Sequence, residues 1–257
     1  MAGLLWGGPD PGDGPRLPAT RVEEHLGVTM PLAAPLVTGS GGRTTLGELL
    51  DGRPTVLTFV YYTCPGICSP LLSGAVSVFD TLQLTPGEAY RAVTISFDHR
   101  ETAELARQKK ANYYRMFDGD FPEDAWEWTV ADSATIQSLT QTAGFPFVAT
   151  ESGTDFIHPA ALIVLAPDGR LVRYLSGVFF EPFDLRLAIL EATPPDRRSL
   201  TEAVLLAIYE WDGGRKRYAL NAILLWSALA IGVGLFALAM WRSVRRHNRE
   251  TAADPVR

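Results

Sequence analysis

Between residues 55 and 192 the hydrophobic positions follow two alternating patterns. Short runs of consecutive β-branched and aromatic residues predict buried strands at Thr55–Tyr62 (TVLTFVYY), Ala92–Phe97 (AVTISF) and Ala160–Leu165 (AALIVL). Between and after them the apolar residues move to helical spacing. Residues 69–83 carry Leu71, Leu72, Ala75, Val76, Val78, Phe79 and Leu82 on one face. Thr102–Met116 predicts a second helix, with Arg107, Lys109 and Lys110 on its polar side. Ser133–Ala143 predicts a third, closed by Gly144. Pro167-Asp168-Gly169 predicts a tight turn, Leu171–Leu175 the strand returning from it, and Asp184–Glu191 the start of a last helix. Strands alternating with helices predict an α/β fold with a central, mostly parallel sheet flanked by helices, to which the final hairpin adds an antiparallel edge.

The flanks read differently. Residues 1–43 are an irregular lead. Its first 20 residues are rich in Gly and Pro and read as flexible, and Val22–Leu26 predicts one turn of helix. Residues 38–53 predict a short hairpin and a helical turn. The α/β domain spans 44–192. A linker, 193–217, opens at Pro194-Pro195 and contains a short amphipathic helix with Leu200, Val204, Leu205 and Ile208. From Tyr218 to Trp241 the chain is uncharged, and as a helix it would span about 36 Å. That exceeds a bilayer core of roughly 30 Å, so residues 218–241 are expected to form a transmembrane helix bracketed by interfacial aromatics. Residues 242–257 form a basic tail.

Charge sets the expected orientation. The formal net charge is −6, yet Arg242, Arg245, Arg246, Arg249 and Arg257 follow Trp241 against only Glu250 and Asp254. A basic tail predicts a cytoplasmic C-terminus and an acidic domain on the periplasmic, extracytoplasmic side of the membrane. That topology calls for an export signal. Residues 1–8 have neither a basic region nor a long apolar run, so the true start is expected upstream of Met1. The acidic balance also argues against nucleic acid as a partner.

Candidate chemistry begins at Cys64 and Cys68, the only cysteines in the 257 residues. Two thiols exclude a disulfide-framework fold and any four-thiolate zinc or iron–sulfur site. Cys64 follows a predicted strand and Cys68 opens a predicted helix. This is where ligands bind in a βαβ unit and where a helix N-terminus favours thiolate. Three roles remain open for the pair. A structural disulfide closing so small a loop contributes only about 2 kcal/mol. A redox dithiol usually has two intervening residues rather than three. A metal pair needs a third donor. His247 follows the apolar segment and is excluded, and His25 lies in the lead. His99 follows the second strand, and His158 precedes the Ala160–Leu165 strand; both remain candidates.

Three segments, TFVYYTCPGICSP, SFDHRET and IHPAALIVLAPDGRLVRYL, resemble the Sco/SenC family of membrane-tethered copper chaperones over residues 44–192. The resemblance implies a thioredoxin-like fold and a copper site, Cu(I) or Cu(II), held by Cys64, Cys68 and His158. Asp98 would stand behind the ligands. It further implies a copper donor upstream and delivery to the copper A centre of cytochrome c oxidase subunit II, with a reversible Cys64–Cys68 disulfide. Such a protein is a metallochaperone rather than an enzyme. The alternative is a thiol–disulfide reductase that keeps the oxidase cysteines reduced, and a thiol peroxidase or redox sensor is a third reading. Many relatives have Asp where this chain has Gly66 and Pro where it has Ser69, and many carry their anchor at the N-terminus.

Overall fold

A computed structural model describes residues 21–151 and 153–252. The Gly- and Pro-rich lead, residues 1–20, and the end of the basic tail, 253–257, lie outside them. The chain divides into two units, Met1–Arg198 and Ser199–Arg257.

The first unit is built on a seven-stranded sheet. In chain order its elements are β1 (Pro35–Thr38), β2 (Arg43–Thr45), α1 (Leu46–Leu50), β3 (Thr55–Val60), α2 (Cys68–Thr81), β4 (Arg91–Ser96), α3 (Ala103–Tyr114), β5 (Trp126–Val130) and α4 (Ser133–Thr142). There follow β6 (Val148–Ala149), β7 (Phe156–Ile157), β8 (Ala161–Leu165), β9 (Leu171–Ser176) and α5 (Pro182–Ala192). Strand order is β2-β1-β5-β4-β3-β8-β9, while β6 and β7 pair separately.

The three central strands, β5, β4 and β3, run parallel through crossovers made by α2 and α3. Every residue of β3 and β8 is buried, as expected of strands covered on both faces. The β8–β9 hairpin pairs antiparallel on one edge, as its turn sequence predicts. The β1–β2 hairpin pairs antiparallel on the other edge through β5. The sheet is therefore mixed, and its parallel part is confined to the centre. Val22–Leu26 forms no helix. Instead Glu23 N–H donates to Gly144 O at 2.8 Å and Met30 N–H to Gly169 O at 2.9 Å, so this segment lies as a strap across loops of the domain.

Local chemistry explains the helix starts. Thr45 and Glu48 form a reciprocal cap on α1, Thr102 caps α3, and Asp132 caps α4. Helix α2 differs, because Ile67 at its cap position offers no side-chain acceptor. Its first-turn N–H groups therefore face the cysteine loop.

The second unit contains α6 (Leu200–Ile208), β10 (Tyr209–Asp212), β11 (Arg217–Leu220) and α7 (Ala222–Ala252). Helix α6 lies where the sequence predicts it. The expected transmembrane helix at 218–241 is corrected. Tyr218, Ala219 and Leu220 are strand residues paired with Trp211, Glu210 and Tyr209. Helix α7 begins after this hairpin and continues past Trp241 through Arg242 and Arg245. Among the described residues no helix is long and apolar enough to cross a membrane. The periplasmic domain, cytoplasmic tail and membrane partnership expected from that span lose their basis with it.

One close contact shapes the end of the domain that carries the cysteines. A Cβ at Gly74 in α2 would collide with the carbonyl oxygen of Val178, in the loop after β9. Alanine normally stabilises a helix interior by about 1 kcal/mol relative to glycine. Here the sign should reverse. Gly74→Ala is expected to destabilise the protein by about 1–3 kcal/mol through overpacking, read as a lower midpoint in urea unfolding. A raised midpoint would contradict this packing.

Candidate metal centre

The sheet register decides which residues meet. Strand β8 pairs antiparallel with β3, with Thr55 opposite Leu165 and Leu57 opposite Ile163. His158 precedes β8, whose antiparallel course sets its start at the end of β3 that leads into Cys64. The start of β8 and the end of β3 thus converge at the N-terminus of α2. Cys64 Sγ, Cys68 Sγ and one ring nitrogen of His158 all lie within 4.8 Å of one another. All three residues are buried, at 8%, 2% and 7% exposure.

The hydrogen bonds orient these donors. His158 Nδ1 lies 2.7 Å from Pro159 O, which only accepts, so Nδ1 carries the proton. This directs Nε2 toward Cys68 Sγ, 3.3 Å away. Gly66 N–H donates to Cys64 Sγ at 3.3 Å.

These contacts separate the two thiols. A hydrogen bond with the Cys68 thiol, opposed by burial and reinforced by the N–H groups of Cys68 and Gly66, holds the Cys64 pKa down to about 3. The same bond, together with burial, pushes the Cys68 thiol far up. Cys64 is the more acidic thiol of the pair and Cys68 the less acidic. Both cysteines are free in this structure, with no bond between them.

Aromatic rings enclose the group. His158 lies against Phe97, Tyr61 and Phe145, with ring centroids 5.0, 5.8 and 6.0 Å away. Phe156 packs edge-on against both Tyr61 and Phe97. Burial, then a hydrogen bond with Cys64, push the Tyr61 phenol up, so it stays neutral. The surroundings are buried and aromatic, which strengthens each polar contact within them.

The remaining sequence candidates take other places. His99 lines a cavity of about 470 Å³ with Phe97, Arg100, Phe147 and Phe156. His25 places Nδ1 3.0 Å from Thr142 O, beside α4. His247 lies in α7, in the second unit. Asp98 is buried at the end of β4. Burial would raise its pKa, but Arg100 outweighs that: Nε donates to Oδ1 and Nη2 to Oδ2, each at 2.7 Å, and the carboxyl is held below its usual range. Arg100 also donates to Gly153 O at 2.8 Å, tying the end of β4 to the loop before β7.

Two residues not singled out from the sequence touch the site. Tyr61 packs on His158 and bonds to Cys64. Glu101 accepts from the backbone N–H groups of Tyr62 and Thr63, immediately before Cys64. The available signal for Glu101 is its place in SFDHRET, directly after a strand end and before the cap residue Thr102.

A SCO1/SenC family model matches residues 36–182, more than half of the chain. The chain belongs to the SCO1/SenC family. It is 30% identical over 127 residues to a candidate copper-binding protein from Stutzerimonas stutzeri. That match covers 48% of this chain and 58% of the relative, so the chain spans a little over half of that protein's length. The fold is similar to that of a candidate electron transfer protein from Aquifex aeolicus VF5, with a TM-score of 0.58 and 28% identity. The alignment covers 65% of this chain and 94% of that one. A candidate electron transport protein from the same organism aligns with a TM-score of 0.51 and 27% identity, over 65% of this chain and 98% of its own. Membership in the SCO1/SenC family agrees with the resemblance of the cysteine and histidine motifs and with the thioredoxin-like α/β core.

The thiol asymmetry has a measurable consequence. A thiol normally titrates near about 8.5 and reacts only as thiolate. With the Cys64 pKa lowered to about 3, its thiolate persists as pH falls and is lost only near that value. Iodoacetamide at about pH 5 should therefore label Cys64 and spare Cys68, with a rate nearly flat up to about pH 8. Peptide mapping of the labelled full chain reads this. Labelling of Cys68 first, or a rate that rises only above about pH 8, would contradict the assignment.

Proposed function

We propose that the chain is a copper metallochaperone, whose cargo is held by Cys64, Cys68 and His158 and handed to the copper A centre of cytochrome c oxidase subunit II. One observation carries this reading: two sulfurs and an imidazole nitrogen converge within 4.8 Å. Two soft thiolates and a nitrogen donor suit copper(I) and can also hold copper(II). The ring orientation supports it, because a carbonyl on Nδ1 fixes the tautomer and leaves Nε2 facing the sulfurs. Three protein donors leave room for an incoming ligand, as transfer by ligand exchange needs. Family membership and the resemblance to Sco/SenC copper chaperones point to the oxidase as recipient. Asp98 acts behind the site in this reading, by bracing the β4 end through Arg100.

A second reading, thiol–disulfide reductase, is favoured by the separation of the thiols. Cys64 thiolate would attack a target disulfide, expelling one target thiolate. Cys68, once deprotonated, would then attack the mixed disulfide, forming the Cys64–Cys68 bond and releasing the second target thiolate. Two electrons pass to the target, and the Cys68 proton goes to a leaving thiolate. That chemistry does not need His158.

The histidine therefore separates the two. Copper titration of the full chain should give one copper per chain. Cys64→Ala and Cys68→Ala should each lower affinity at least about 100-fold, and His158→Ala should lose copper(II) while keeping a reducible Cys64–Cys68 bond. An oxidase-assembly assay completes the test. Assembly that persists with His158→Ala but fails with Cys68→Ser would establish the reductase reading instead. Loss of metal in His99→Ala rather than His158→Ala would overturn the ligand assignment.

A further inference from the structure

We infer that Glu101 is a positioning residue of the metal site, holding the chain just ahead of Cys64 so that its sulfur meets Cys68 and His158; the inference rests on the copper reading above. Sheet bonding is about to stop at this point. Phe97 N–H donates to Val60 O at 2.8 Å, at the end of the β3–β4 pairing. The next backbone donors of the β3 segment, on Tyr62 and Thr63, turn to a side chain. Glu101 Oε2 accepts from Tyr62 N–H at 2.7 Å and from Ser96 Oγ at 2.6 Å. Glu101 Oε1 accepts from Thr63 N–H at 2.7 Å and from Thr63 Oγ1 at 2.9 Å. Four donors saturate a carboxylate, which has about four acceptor sites.

The clamp is asymmetric, and that asymmetry is informative. Ahead of Cys64 the backbone is fixed by short, charge-assisted bonds, which are about twice as strong as neutral ones. After Cys64 the loop is open: Pro65, Gly66 and Ile67 are exposed, and a Cβ at Gly66 would meet nothing within 4 Å. The backbone ahead of Cys64 is thus anchored by a residue that is neither ligand nor neighbour in sequence, while past it only Gly66 N–H reaches back to the sulfur. Glu101 is itself braced, since its own N–H donates to Asp98 O at 3.0 Å and Thr102 beside it caps α3. The site therefore takes its geometry from β4 and α3 as well as from β3 and α2.

Glutamine has the same shape but turns one acceptor oxygen into a donor, setting an NH2 group against N–H or O–H donors. The test uses the full chain with Glu101→Gln and Glu101→Asp and has two readouts. In the metal-free protein, hydrogen exchange at Tyr62 and Thr63 should quicken roughly tenfold or more in Glu101→Gln while residues 55–60 stay protected. In the copper(II)-loaded protein, chelator-driven release should quicken by a similar factor and the sulfur-to-copper absorption should shift, with Glu101→Asp intermediate. Protected amides at 62 and 63 in Glu101→Gln would overturn the inference, as would freed amides with release and spectrum unchanged. Loss of β3 protection in both variants would also overturn it, making Glu101 a general stability residue. If the wild type binds no copper, the copper reading fails on its own. Iodoacetamide labelling of Cys64 then decides the inference: an altered rate in Glu101→Gln supports it, and an unaltered rate overturns it.

Discussion

The antiparallel ladder between Thr55–Val60 and Ala161–Leu165 brings distant residues together. Leu57 lies opposite Ile163, so the C-terminal end of one strand meets the N-terminal start of the other. A parallel pairing would place the start of β8 at the far end of β3, a strand length from the cysteines. Both strands are wholly buried, and a one-residue slip would turn every side chain to the opposite face. The packing of the core therefore holds His158 in reach of the cysteine loop. Helix α2 supplies the remaining constraint by starting at Cys68 without a side-chain cap, which sets the Cys68 sulfur beside that of Cys64, itself held by Gly66 N–H.

That geometry stores unused donor capacity. Cys64 is the more acidic of the two thiols, and His158 turns Nε2 to the same space, 3.3 Å from the Cys68 sulfur. Three lone-pair donors thus face one another around a single thiol proton, behind a wall of Tyr61, Phe97 and Phe145. In the proposed copper reading a soft cation would replace that proton and satisfy all three donors together, which is how metal affinity couples to deprotonation. The carboxylates of Glu101 and Asp98 hold the loops from outside the group of three.

Much of the domain was legible because its periodicities are strong. The apolar face of residues 69–83 appears as α2, and the runs at 55–62, 92–97 and 160–165 appear as β3, β4 and β8 with small differences at their ends. Strand β5 was not read, because Trp126-Glu-Trp-Thr-Val is short and follows an acidic, Pro-containing loop. Both β1 and the strap over 23–30 carry little periodicity and take their places through tertiary hydrogen bonds. Strand-end position alone left His99 and His158 both open; the family resemblance named His158, and the pairing of β8 with β3 brings that residue to the cysteines. The uncharged run from Tyr218 shows the opposite failure. Its pattern resembles a single helix, but pairing of Trp211 with Tyr218, rings 5.1 Å apart, takes its first turn into a hairpin.

X-ray absorption at the copper edge counts the ligand atoms around the metal. In the copper(I)-loaded full chain the expected result is two sulfurs and one imidazole nitrogen, with the imidazole signal lost in His158→Ala and one sulfur lost in Cys68→Ser. A shell without two sulfurs, or an imidazole signal that survives in His158→Ala, would contradict it.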